Sequence, residues 1–112
     1  SVGGLRVVTE KLTGVESDQL RKMIDAVKSQ NDDAVAVFAA VNGEKLTFCA
    51  GAGKSAIAKG AHAGNIVRAV AQIAGGNGGG KPDSAMAGGK DTTKVAEALA
   101  AVCDVVKSQI GE

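Results

Sequence analysis

The 112-residue sequence has no Trp, no Tyr, one Pro, one His and two Cys. Each shortage excludes something. With Phe38 and Phe48 as the only aromatics, a surface that stacks bases on aromatic rings is nearly excluded. Two cysteines cannot build a disulfide framework, and one histidine with two distant cysteines cannot make a structural zinc site. No apolar run is long enough to cross a membrane. The N-terminus has no signal-peptide pattern. It opens on Ser1 rather than Met, which suggests a processed protein or an excised fragment. No Cys/His or Ser/His/Asp arrangement stands out around His62, and Asp83 and Asp91 are two acids near a loop without an obvious partner.

Glycine, by contrast, is abundant: 16 residues, about twice average usage. The core must come from Val, Ile, Leu and Ala, which pack helices closely on a sheet. The length predicts one domain over residues 1–112, large enough to hold a core without staples. The net charge of +1 hides an asymmetry. Residues 54–94 carry six basic groups against Asp83 and Asp91, whereas the segments on either side are net acidic. The basic segment also holds most of the glycines. It is either a solvated loop region or a site for phosphate or nucleic acid.

Leu5–Leu12 reads as a strand ended by Gly14. Residues 17–30 make an amphipathic helix, with Leu20, Met23, Ile24 and Val27 on one stripe. Ser17 is its expected N-cap, and Thr13 with Glu16 is a competing capping box. Asp33–Val41 is almost unbroken apolar sequence after Asp33, the pattern of a strand buried on both faces. Asn42-Gly43 signals a hairpin into Lys45–Ala50. Residues 60–74 read as a second helix, the glycine run 75–80 as a loop, and Ser84–Ala87 as a short strand stopped by Gly88-Gly89. Residues 92–110 form a last helix capped by Asp91 or Thr92. The order β-α-β-β-α-β-α predicts an α/β fold, a mixed sheet packed by about three helices. A right-handed crossover makes the first two strands parallel, and the hairpin makes the second and third antiparallel.

Gly53-Lys54-Ser55 looks like the tail of a phosphate-binding P-loop, but Phe48 stands where the pattern needs its first glycine. Cys49 and Cys103 read as buried small apolar groups. The run Gly75-Gly76-Asn77-Gly78-Gly79-Gly80 is costly, since glycine loses the most backbone entropy on folding. One explanation is a disordered loop. The favoured one is backbone that approaches a ligand closely and donates N–H groups to it, with Lys81 adding a cation and Pro82 fixing the exit.

Residues 75–89, GGNGGGKPDSAMAGG, resemble the signature of the DHH-associated domain at the C-terminal end of alanyl-tRNA synthetases, the globule called C-Ala. Lys59–Ile66 is similar to that family's K-G-x-x-A-G-x-[LI] segment, and the likeness covers nearly the whole chain. In the related DHH phosphoesterases the glycine run is usually followed by His; here Lys81-Pro82-Asp83 follows. The resemblance implies a cytoplasmic, non-catalytic module that binds the outer corner (elbow) of tRNA. It would support aminoacylation and editing by an alanine–tRNA ligase, whose other domains would use ATP and zinc. The alternative is the substrate-clamping domain of a DHH phosphoesterase. The residues expected to touch RNA are Gly78, Gly79, Gly80, Lys81, Ser84 and Met86, flanked by Asn65 and Arg68. Lys28, on the acidic half, is expected to take no part.

Overall fold

The computed structural model describes residues 4–43 and 45–111, so Ser1 and Glu44 lie outside the described residues. The chain runs β1 (Arg6–Thr13), α1 (Ser17–Gln30), β2 (Ala34–Asn42), β3 (Lys45–Ala52) and a short α2 (Lys54–Ala58). It continues through α3 (Ala63–Ile73), β4 (Asn77–Gly80), β5 (Ser84–Gly89), a 3-10 turn (Thr92–Lys94), α4 (Val95–Ala100) and α5 (Val102–Ile110). The five strands form one sheet in the order β1-β2-β3-β5-β4. β1 and β2 are parallel; β2–β3, β3–β5 and β5–β4 are antiparallel. The expected α/β class, the mixed sheet and the pairing of its first three strands are all present.

The apolar run of β2 is buried on both faces because helices cover both. On one side Leu20 and Ile24 of α1 pack on Ala36, Phe38, Ala40 and Cys49. On the other, α3, α4 and α5 pack on Val35, Val37, Leu46, Phe48 and Ala50. Successive strand residues point to opposite faces, so Leu46 and Phe48 join one core and Cys49 the other.

Several boundaries depart from expectation. The glycine run is not a loop: Asn77–Gly80 is an edge strand, aligned with β5 from Asn77↔Gly88 to Gly80↔Ala85. β5 does not stop at Gly88-Gly89 but runs through both, because Leu46 and Thr47 of β3 pair with them. The hairpin pairs Asn42 with Lys45, and Gly43 turns the chain at φ +63°. Ser17 does not cap α1; Glu16 holds that position, with no side-chain hydrogen bond.

The second helix starts at Ala63 rather than 60. Gly60 turns the chain at φ +115°, and the His62 Nδ1 accepts from the Asn65 amide at 3.1 Å. Gln109 of α5 holds His62 in place, bonding its backbone amide and carbonyl at 2.9 and 3.1 Å. The last helix is broken at Ala101, and Asp91 caps its 3-10 start. Hydrogen bonds from the Thr93 hydroxyl and amide hold the Asp91 carboxyl below its ordinary value. Cys103 is exposed, not buried as expected: Val102 and Val106 take the inward positions, and Cys103 falls one residue off that stripe.

Candidate nucleic-acid interface

Around Gly53-Lys54-Ser55 the amides have internal partners. Ser55 and Ala56 both donate to the Asp32 carbonyl, at 3.0 and 3.2 Å, so they do not point into a phosphate cradle. The start of α3 is likewise committed: Ala63 donates to the Pro82 carbonyl at 2.9 Å and Gly64 to that of Lys81 at 3.1 Å. These bonds seat α3 against the β4–β5 turn.

That seating explains much of the glycine content. A Cβ on Gly64 would lie 2.4 Å from the Gly80 carbonyl oxygen, and one on Gly78 would lie 2.3 Å from the Ala87 Cβ. Gly64 lets a helix backbone rest on a strand backbone, and Gly78 lets β4 lie close beside Ala87 of β5. Close approach therefore occurs, but at these positions it is to the chain itself. Gly79 differs, since a Cβ there would meet only the end of the Arg68 side chain, 3.3 Å away. Its φ of +157° still disfavours a side chain, so Gly79→Val would combine a backbone cost with any loss of binding.

The expected contact residues divide between the two faces of the sheet and meet at the β4 edge. Asn65 and Arg68, both exposed, sit on α3. The Arg68 guanidinium reaches over the edge, its Nε donating to the Gly78 carbonyl at 3.5 Å. Gly78 in turn donates its amide to its neighbour's side chain, Asn77 Oδ1, at 2.8 Å. Gly80 and Lys81 are exposed, Gly78 and Gly79 half-buried. Met86 packs with the α1 core, and Ser84, two residues before it, shares that face.

On the α1 side the structure adds residues that sequence reasoning missed. α1 packs mainly over β2 and β3, so β5 and β4 are less covered on that face. The result is a groove of about 410 Å³ between α1 and the strands. Arg21, Asp25 and Lys28 form one wall; Gly79, Gly80, Lys81 and Asp83 form the other; Cys49, Ser84 and Met86 also line it. Lys28 is therefore a groove residue, its Nζ 3.9 Å from Asp25 and 3.8 Å from Asp83. No local pattern links α1 to the residues after the glycine run; only the β3–β5 pairing brings them together.

Burial pushes the Cys49 thiol up from 9.0 to about 11, against a smaller opposing pull from Arg21, so it is a neutral wall group at neutral pH. The unfolded thiol loses its proton first, so stability should fall as pH rises from about 9 towards 11, by about 2–3 kcal/mol. Urea melts below and within that range check this, and Cys49→Ala should remove the extra loss. Among the described residues, no three His, Cys, Asp or Glu side chains cluster to hold a metal ion. No described helix is long and apolar enough to cross a membrane.

The DHHA1 domain family matches residues 4–108. An alanine–tRNA ligase of Shouchella clausii is 48% identical over 107 residues, covering 96% of this chain and 12% of that protein. The alanine–tRNA ligase of Alkaliphilus oremlandii is 46% identical over 111 residues, 99% of the chain and 13% of its own length. The chain thus spans about an eighth of these relatives. The crystal structure of the C-Ala domain from Aquifex aeolicus alanyl-tRNA synthetase superposes with a TM-score of 0.87 at 28% identity, covering 95% of each chain. On the family match and these relatives, the chain belongs to the DHHA1 domain family, in the company of alanyl-tRNA synthetases.

Proposed function

We propose that residues 1–112 are a single tRNA-binding domain of a cytoplasmic alanyl-tRNA synthetase. In this reading the domain grips the tRNA elbow and performs no chemistry, and the other domains of the enzyme carry out ligation. The observation that carries the reading is the β4 edge. It is a strand whose outer rim has no side chains beyond Asn77, flanked by the cations Arg68 and Lys81. Tertiary RNA is read by shape, through its 2′-hydroxyls, phosphates and exposed bases. A bare backbone edge can come close to such a surface where a side-chain-covered one cannot. The Lys-Pro-Asp ending of the glycine run and the alanine–tRNA ligase relatives favour this branch over a phosphoesterase clamp.

Filter binding of the chain to an alanine tRNA transcript tests it, with an RNA hairpin lacking the elbow as the comparison. About three phosphate contacts give a slope of roughly −2 to −3 in log K against log salt. Lys81→Ala should weaken binding by about 1 kcal/mol. Equal affinity for the elbow-less hairpin would overturn the reading.

A further inference from the structure

The groove on the α1 side adjoins the β4 rim and shares Gly79, Gly80 and Lys81 with it, but its chemistry is its own. Its volume of about 410 Å³ lies within the ~300–1,000 Å³ of small-ligand sites and is far too small for a duplex. Two cations on its walls, Arg21 of α1 and Lys81 of the β4–β5 turn, have no ion pair among the described residues. Both are exposed. Lys28 is different: it is held between Asp25 and Asp83 and leaves their remaining oxygens as acceptors at the rim. The Met86 thioether and the protonated Cys49 thiol make an apolar, polarisable stretch of wall. Gly79 and Gly80 give the opposite wall a stretch of bare backbone.

A cationic rim, acceptor oxygens and a flat polarisable surface fit one ligand class well. We propose that the groove receives a single unstacked nucleotide of the bound RNA. The base lies against Met86, with the Arg21 guanidinium plane over or beside it. Lys81 meets the phosphate, and Asp25 or Asp83 accepts from an amino or hydroxyl group of the nucleotide. A thioether and a guanidinium both make favourable contacts with a π-face, so the site needs no aromatic side chain. Single-stranded and loop nucleotides are the ones that splay out in this way, and protein readers of RNA target them for that reason. This inference rests on the RNA-binding reading above and adds a second contact area on the opposite face of the sheet from Asn65 and Arg68.

The test compares Arg21→Ala with Lys22→Ala in binding to the alanine tRNA transcript. Lys22 is the adjacent exposed cation on α1 and lies outside the groove, so both variants lose the same charge. Arg21→Ala should weaken binding about tenfold, the scale of one base contact, and Lys22→Ala by less than about threefold. Circular dichroism melts confirm folding. Ultraviolet crosslinking of the unaltered complex, read by mass spectrometry, should place RNA on peptides containing residues 21–28 or 81–86. If the chain binds tRNA but both variants behave alike and crosslinks fall only on α3, the groove assignment fails while the RNA-binding reading stands. If the unaltered chain does not distinguish tRNA from the hairpin, both fall.

Discussion

Gly64→Val should lower the melting temperature by roughly 15–20 °C, equivalent to a loss on the order of 3–4 kcal/mol. Gly64 sits in the first turn of α3, where its amide donates to the Lys81 carbonyl. Its missing Cβ is the space that the Gly80 backbone occupies: oxygen, nitrogen and carbonyl carbon would lie 2.4, 2.9 and 3.0 Å from it. None of these can rotate away, because β4 is held by β5 on its other side. The helix must lift, and the bonds to Lys81 and Pro82 go with it. A thermal melt followed by circular dichroism measures the loss. A drop of less than about 5 °C would mean that β4 yields instead, since each kcal/mol is worth about 4–8 °C in a domain near this size. The same variant should lose RNA affinity, because Arg68 rides on the lifted helix away from the proposed rim.

The second large effect is expected at Phe48, which is fully buried on the α3 side of the sheet. Its cross-strand partners are Ala39 on β2 and Ala87 on β5, so one large ring lies between two methyl groups. This alternation of large and small residues lets α3 sit low on the sheet. Phe48→Ala puts three alanines in a row across the sheet and leaves a void that no neighbour is long enough to fill. The expected cost is roughly 3–5 kcal/mol by urea titration. Phe48→Leu should recover part of it, since the void left is much smaller and the cost of a large-to-small core change grows with that volume. A loss below about 1 kcal/mol for the alanine variant would show that α3 collapses into the space.

What the sequence displayed and what it hid follow from how each element is held. β2 and α1 were visible because burial on two faces demands a continuous apolar run, and burial on one face demands a helical stripe. β4 was hidden because glycine carries no strand propensity and no alternation. Its conformation comes from pairing with β5, a tertiary cause that no local pattern records. The same holds for Gly88-Gly89, which read as a stop yet continue the strand beside Leu46 and Thr47. Asn65, Arg68 and the glycine run could be named because they lie close together along the chain and inside a recognisable motif. Arg21 and Lys28 could not, because what makes them neighbours of Lys81 and Asp83 is the order of strands in the sheet.

That strand order also divides the sheet into two parts, one on each side of the β3–β5 ladder. β1 and β2 pair across the α1 crossover, β2 and β3 through a tight hairpin, and β4 with β5 form their own hairpin. The β3–β5 ladder, from Leu46↔Gly89 to Gly51↔Ser84, joins the strand pair farthest apart in the chain within the sheet. Such non-local pairing must overcome the larger loop-closure entropy, which places it among the slow steps of folding. The Lys28–Asp83 ion pair and the groove both bridge this joint, with one wall on each part. A ligand seated there binds only the docked form, so by mass action it holds the two parts together. Occupancy would therefore be read most directly as slower amide exchange along β3 and β5, rather than as a change in shape.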